Sequence, residues 1–258
     1  MLNFLQFKGL CYAYPERSAY PERSAAVSAV DLQMAAGEIH CLIGRSGCGK
    51  TTLLKLAAGL LSPQHGQVLL DKRAVTAPLP EMGFVFQSPT LLDWLNVRDN
   101  VLLPLSLHRT VTPDDHRLAE QWLTRLGLAE VSLVKADQLS GGQQSRVAIA
   151  RALITRPSVL FMDEPFAALD AITRDELQHD FLKLCQAEGT TVLFVTHDIG
   201  EAVYLGDRVS LMQDGAIFEP LVIDLPRPRS AALRYAAPFN ALCAQLRHAM
   251  DGGLTHEA

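Results

Sequence analysis

Apolar and polar positions change period several times along the chain, and each change predicts an element. Residues 4–14 alternate loosely, with Phe4, Leu5, Phe7, Leu10, Tyr12 and Tyr14 apolar, as in a partly exposed antiparallel strand. Val27, Val30, Leu32 and Met34 predict a second strand, Ala36-Gly37 a turn, and the apolar run 39–43 a third strand. Leu53, Leu54, Leu56, Ala57 and Ala58 follow as a buried helix. Ser62-Pro63 and His65-Gly66 read as turns, 67–70 as a strand, and 82–86 as a short apolar strand that releases Gln87. The run Leu91-Leu92-Asp93-Trp94-Leu95 is too apolar for a free loop and reads either as packing beneath later helices or as an edge for a partner helix. Thr112-Pro113-Asp114-Asp115 supplies a cap, an N1 proline and first-turn acids, and Leu118, Trp122 and Leu126 recur up to Gly127, a helix of about four turns. Helical spacing returns from Ser140 to Arg156-Pro157, and Val159-Leu160-Phe161-Met162 is patterned as a fully buried strand. A helix on Leu177, Phe181 and Leu184 ends at Gly189, and a β-rich run spans 191–195. Asp198 and Glu201 suit a capping box for the next helix. Residues 208–212, the Asp214-Gly215 turn and 216–223 read as a closing hairpin. Pro226-Arg227-Pro228-Arg229 breaks the chain before an amphipathic tail helix near 231–250, with 252 onward expected to fray. Strands alternating with helices define an α/β protein.

The 258 residues suffice for one nucleotide-sized α/β unit with an inserted subdomain, not for two. A net charge of −5 offers no basic field, so nucleic acid is excluded as the principal partner. Cys11, Cys41, Cys48, Cys185 and Cys243 are odd in number and without metal-type spacing, which predicts reduced thiols in a cytosolic protein. No leader is recognisable, and no apolar run approaches the roughly 18 residues needed to span a bilayer. Membrane work is therefore expected to pass through a partner.

The chemistry centres on residues 44–52, Gly44-Arg45-Ser46-Gly47-Cys48-Gly49-Lys50-Thr51-Thr52, which fit G-x-x-x-x-G-K-[ST] between a strand and a helix. Glycines let successive N–H groups converge on phosphate oxygens, with Lys50 for the β/γ-phosphates and the Thr51 hydroxyl for Mg²⁺. Upstream, Tyr14-Pro-Glu-Arg-Ser-Ala19 is repeated as Tyr20-Pro-Glu-Arg-Ser-Ala25, a tandem copy that suits a surface loop. Tyr14 or Tyr20 could stack on a purine; Tyr14, at the strand end, is preferred. Ser140 caps a helix whose first turn is cleared by Gly141 and Gly142, an end suited to an anion. Asp163 and Glu164 leave a buried strand together and repel each other unless a cation is near, so Asp163 reads as a Mg²⁺ ligand and Glu164 as the group that orients water. His197 leaves another strand end.

In order, then, come a phosphate loop, a strand-end Gln87, Leu139-Ser140-Gly141-Gly142-Gln143, Asp163-Glu164, Ala168-Leu169-Asp170 and Thr196-His197-Asp198. This series resembles the ATP-binding cassette ATPases of ABC transporters over nearly the whole length. The resemblance implies a RecA-like P-loop NTPase core with an antiparallel β subdomain and an inserted α-helical signature subdomain. Residues 1–227 would form the ATPase domain, with core and β subdomain about 1–87 and 157–227 and the helical subdomain about 88–156; 228–258 would form a helical tail. It also implies that ATP and Mg²⁺ are bound by residues 44–52, that Gln87 reaches the metal and senses a membrane partner, and that His197 meets the γ-phosphate. Ser140, Gly141, Gly142 and Gln143 would act in trans, across a head-to-tail pair, with Asp170 in the loop that reaches over. Ser145 and Ala168 depart from the commonest residues at their positions. Finer motifs, Leu91 to Val97, Glu164 to Asp170, Asp198 to Val203 and Leu225 to Arg229, are similar to the nitrate/sulfonate/taurine importer group, whose relatives also take up a thiamine precursor. That kinship implies a permease, an extracytoplasmic binding protein and a peripheral position on the cytoplasmic face of the cell membrane. An exporter ATPase and a soluble iron–sulfur assembly ATPase are the alternatives. Chromosome-maintenance relatives interrupt the cassette with long coiled coils, for which the roughly 50 residues between Gln87 and Leu139 leave no room.

Overall fold

The computed structural model describes residues 3–14, 25–218 and 220–253. Its elements run β1 (Asn3–Tyr12), β2 (Val27–Ala35), β3 (Ile39–Ile43), α1 (Lys50–Ala57), β4 (His65–Leu70), β5 (Arg73–Ala74) and β6 (Met82–Val85). Next come α2 (Val97–Ser106), α3 (Pro113–Arg125), α4 (Gly141–Leu153), β7 (Val159–Asp163) and α5 (Ala171–Glu188). The chain closes with β8 (Thr191–Val195), α6 (Ile199–Leu205), β9 (Arg208–Gln213), β10 (Ala216–Ile217), β11 (Leu221–Val222) and α7 (Ala237–His248). Two compact units divide these elements, one made of Met1–Leu79 with Thr191–Ala258 and the other of Pro80–Thr190.

In the first unit β2-β1-β4-β5 form an antiparallel sheet. On β2 the buried positions Val27, Val30, Leu32 and Met34 face the core between exposed neighbours, so the expected alternation holds. β4 begins at His65, two residues before the strand expected from the pattern. His65-Gly66 is not a free turn there, because His65 pairs with Cys11 past a bulge in β1. The short β5 had no sequence signal of its own; it pairs Ala74 with Leu69 and Arg73 with Leu70. A second, parallel arrangement places β3 between β8 and β9, with every residue of β3 and β8 buried. That burial is why both strands read as unbroken apolar runs. His40 is the polar exception on β3. Its Nε2 lies 2.9 Å from Ser210 Oγ on β9 and its Nδ1 3.2 Å from Glu38, so its buried nitrogens are satisfied. Burial pushes the Glu38 carboxyl up, but the hydrogen bonds from His40 and the Ala35 amide outweigh it and leave the group below its ordinary value.

The closing hairpin divides. β10 pairs with the end of β9 through the Asp214-Gly215 turn, and β11 returns to its beginning, Leu221 opposite Val209. The tail is also broken: a short 3-10 turn at Ala231–Tyr235 precedes α7, because Pro238 suits the first turn of a helix and not its interior. Nor is the Asp198 capping box complete. Asp198 accepts from the Glu201 amide at 3.0 Å, yet its own amide donates to Thr196 Oγ1 and not to Glu201.

The second unit pairs β6 with β7 in parallel and packs α2, α3 and α4 together. α2 was not expected from the pattern, since Pro104 interrupts it. Its start is explained by Asn96, which caps Asp99 N at 2.8 Å, and by Asn100. Fully buried, Asn100 accepts from Leu92 N and donates to the carbonyls of Leu92, Leu95 and Asn96. This one side chain holds the 91–96 loop in place while Trp94 stays 73% exposed.

α3 opens with the complete capping box of Thr112 and Asp115. Arg109 donates to both Asp115 oxygens, at 2.6 and 2.7 Å, and the Thr112 amide and hydroxyl add two further bonds. The Arg109 guanidinium, then Thr112, hold the Asp115 carboxyl far below the usual carboxylate range. At the start of α4 an added Cβ on Gly142 would lie 2.9 Å from Thr173 Cγ2 on α5, whereas one on Gly141 would meet nothing. Gly142 is thus required by helix packing as well as by any ligand at the helix end.

Two outcomes follow for the second unit. Because its folded value is lowered, Asp115 stabilises fully above the ordinary aspartate value of about 3.9, and that contribution fades as pH falls below it. Asp115→Asn should therefore lower the thermal midpoint at pH 7 and match the parent more nearly at pH 3, read by circular dichroism. Gly142→Ala should destabilise by about 1–3 kcal/mol, and adding Thr173→Ser, which removes the facing methyl, should recover most of it in urea unfolding.

Candidate functional site

In the first unit β3 feeds residues 44–52 directly into α1. Gly49, at φ +113°, is the left-handed cap of α1, and a Cβ there would fall 2.0 Å from the Ala26 carbonyl oxygen. No other residue fits that position. The loop is braced from β9: the Gly215 amide donates to the Cys48 carbonyl at 3.0 Å, and the Ser28 amide donates to Gly215 at 2.8 Å. Lys50, buried to 6% exposure, donates from Nζ to the carbonyls of Gly44 at 2.8 Å and Arg45 at 3.0 Å, with Cys48 Sγ at 3.7 Å. Its charge is held against the loop, while Arg45, Ser46, Gly47 and Thr51 are exposed. An anion seated there meets a desolvated cation together with the N-terminal end of α1. Tyr14 lies at the end of β1 with its hydroxyl 3.3 Å from Thr52 Oγ1 and its ring edge-on to Tyr12. Tyr20 falls outside the described residues.

Leu42 on β3 is paired with Val195 on β8, and the Thr196 amide donates to the Leu42 carbonyl. His197 therefore leaves β8 at the same edge at which Gly44 leaves β3. It is exposed, between buried Thr196 and the α6 cap Asp198.

The second unit shows the same construction. Val85 on β6 is paired with Met162 on β7, so Gln87 and Glu164 each stand two residues past one register pair. Gln87 Nε2 approaches Glu164 Oε2 at 3.5 Å. Asp163 is buried at the strand end, and Glu164 follows in the left-handed region at φ +45°. Such a conformation costs a non-glycine residue roughly 1–2 kcal/mol and turns the chain where the strand stops. After Gln87 the loop is held by Arg151 of α4, which donates to the carbonyls of Pro89 at 2.7 Å and Thr90 at 2.9 Å. The sequence gave no reason to single out Arg151; its only local mark is an arginine on an otherwise apolar helix face.

At the other end of α4, Ser140 Oγ accepts from the Gln143 amide at 3.3 Å and Gln143 Oε1 accepts from the Ser140 amide at 3.0 Å. This capping box uses two orphan amides, of Ser140 and Gln143, and leaves those of Gly141 and Gly142, which no helical carbonyl can reach. Asp170 caps α5 by accepting from the Thr173 amide at 3.1 Å. The Thr173 hydroxyl and amide hold its carboxyl below the ordinary value.

Among the described residues no three His, Cys, Asp or Glu side chains gather as a metal cluster. Mg²⁺ keeps its waters and takes one or two protein oxygens beside substrate phosphates. Asp163 and the Thr51 hydroxyl are donors of that kind.

Comparison with known proteins gives the family. Residues 27–167 match the family model described as ABC transporter. The chain is 43% identical over 251 residues to the nitrate import ATP-binding protein NrtD of Synechococcus elongatus, covering 95% of this chain and 89% of that one. It is 41% identical over 227 residues to a putative ATP-binding protein of Brucella abortus, with 87% of each covered. Among solved structures it resembles the dimeric, post-hydrolysis cassette MJ0796 bound to ADP and Pi, with a TM-score of 0.75 at 30% identity over 86% of this chain and all of that one. CbiO1 of Clostridium perfringens, part of the ABC transporter complex CbiONQ, gives a TM-score of 0.77 at 25% identity over 97% of this chain and 98% of that one. With its phosphate loop, its strand-end acids and these relatives, the chain belongs to the ABC transporter family as one of its RecA-like, ATP-binding cassettes that hydrolyse ATP with Mg²⁺.

Proposed function

We propose that the chain is the ATPase subunit of an importer that takes up a small solute of the nitrate, sulfonate or taurine kind, or a thiamine precursor. The observation that carries the importer reading is the 43% identity to NrtD, sustained over 95% of this chain. A bicarbonate transport ATP-binding protein, CmpC, is 44% identical over 209 residues, so kinship supports small-solute uptake more than any one solute. No helix among the described residues is long and apolar enough to cross a membrane. On the importer reading the subunit works beneath an integral membrane permease, at the cytoplasmic face, with an extracytoplasmic protein delivering solute. Exposed Trp94, in a loop held by Asn100, offers that permease a rigid apolar contact.

Lys50 and the amides of residues 44–49 hold the triphosphate, Tyr14 stacks on the base, and Thr51, Asp163 and Gln87 hold Mg²⁺. The metal, when bound, neutralises phosphate charge. Glu164 orients water for in-line attack, and His197 donates to the γ-phosphate as charge builds there. The Ser140 hydroxyl, the open amides of Gly141 and Gly142 and the Gln143 side chain serve the nucleotide of a second copy, and Asp170 stands in the loop that crosses to it. Ser140 and Arg151 are eleven residues apart on α4 (151 − 140), so the signature end lies about 16 Å along the helix from the arginine that holds the Gln87 loop.

Glu164→Gln should reduce phosphate release by on the order of 10²–10⁴-fold while preserving ATP binding and an ATP-dependent dimer on gel filtration. Turnover at the parent rate would rule out the assignment. Mixing two inactive variants, Lys50→Ala and Ser140→Arg, should restore phosphate release, because the mixed pair holds one site with both halves intact. Continued inactivity in a mixture shown to form mixed pairs would argue against shared sites.

A further inference from the structure

Arg229, the last residue of the Pro226-Arg227-Pro228-Arg229 segment, is 2% exposed, and its guanidinium reaches the C-terminal end of α6. Nη1 donates to the Tyr204 carbonyl at 2.7 Å and to the Val203 carbonyl at 3.4 Å. In return the Tyr204 hydroxyl donates to the Arg229 carbonyl at 3.4 Å. Arg234 lies over the Tyr204 ring with its guanidinium carbon 3.9 Å from the centroid. These contacts place a buried cation on the orphan carbonyls and the negative end of a helix of only seven residues. A helix that short is marginal without such support. The cost is visible: Arg229 Nε is buried without a hydrogen bond, and burial, followed by the Arg227 charge, pushes the guanidinium down to about 10. Packing alone would be better served by an apolar side chain.

α6 begins at Asp198, the residue after His197. Asp198 is tied back through its amide to Thr196, whose own amide is tied to Leu42. His197 is thus suspended between the β3 edge and a two-turn helix whose far end Arg229 holds. We infer that Arg229 is a positioning residue for His197: by anchoring the C-terminal end of α6 it fixes where the histidine side chain stands in the ATPase reaction. This rests on the role proposed for His197 above, and it gives the tail segment a part in turnover.

The test is ATP turnover and nucleotide binding by the full chain with Arg229→Met, Arg229→Lys and Tyr204→Phe, alone and combined with His197→Ala. Arg229→Met should lower kcat by on the order of 10- to 100-fold with KM for ATP within about twofold, since the phosphate loop is untouched. Arg229→Lys should recover much of that loss, and Tyr204→Phe should show a smaller loss of the same kind. In the His197→Ala background Arg229→Met should cause no further drop, whereas a merely structural role would cost the same factor again. Hydrogen exchange should rise across residues 197–205 in Arg229→Lys while residues 39–43 stay protected. Unchanged kcat in Arg229→Met, or an undiminished loss beside His197→Ala, would overturn the inference. Should Arg229→Met fail to fold, Arg229→Lys and Tyr204→Phe carry the same readouts, and parent kcat with parent exchange in both would overturn it equally. Parent turnover in His197→Ala would instead remove the role proposed for His197; exchange across residues 197–205 would then still decide whether Arg229 anchors α6.

Discussion

A parallel strand pair sets the carboxyl ends of neighbouring strands side by side, and both units depend on this to group polar residues far apart in sequence. Register between Leu42 and Val195 brings the end of β3 beside His197. Register between Val85 and Met162 brings Gln87 within reach of Glu164. The strands themselves are wholly or mostly buried and bear almost no charge, because an unpaired charge inside such a layer would cost more than its contacts return. Charge is admitted only where the ladder stops, so the chemistry collects there.

What holds those ends in place is a set of polar side chains that reach backbone carbonyls of neighbouring segments. Asn100 organises the loop before α2, Arg151 the loop after Gln87, and Arg229 the end of α6. Lys50 does the same for its own loop through Gly44 and Arg45. At the end of α6, where Arg229 reaches buried carbonyls, leaving such an acceptor without a partner costs about 1–3 kcal/mol, and each of the four side chains fixes a segment rather than a point. Exposed pairs such as Arg125 with Glu188 hold nothing comparable and contribute little.

Much of this was legible in the sequence. The caps at Thr112 and Ser140 rest on contacts three residues apart, while the phosphate loop and the two buried strands that lead to Asp163 and Thr196 show as a motif and as unbroken apolar runs, which spacing and periodicity encode. The misses share a cause. α2 was hidden by Pro104 and by the apolar loop before it, since its support comes from Asn100 acting backward on Leu92. The tail helix was drawn too long because pattern alone does not show that Pro238 must open a helix. Gly142 carries a packing role that spacing did not show, since its facing neighbour is Thr173, thirty-one residues on (173 − 142).

By itself, then, the chain's order of residues determined the family, the strand–loop–helix unit around Lys50, and which acids, glutamine and histidine stand at strand ends. Those features need only local geometry and the tendency of apolar runs to bury. The tertiary structure alone decided which backbone carbonyl Arg151 and Arg229 would reach, that Glu164 would take a left-handed backbone conformation, and that His40 would find Ser210. Arginine, histidine and serine carry no period that marks a partner tens of residues away; only the closing of the sheets and helices brings the unsatisfied group and its donor within 3 Å or so of each other.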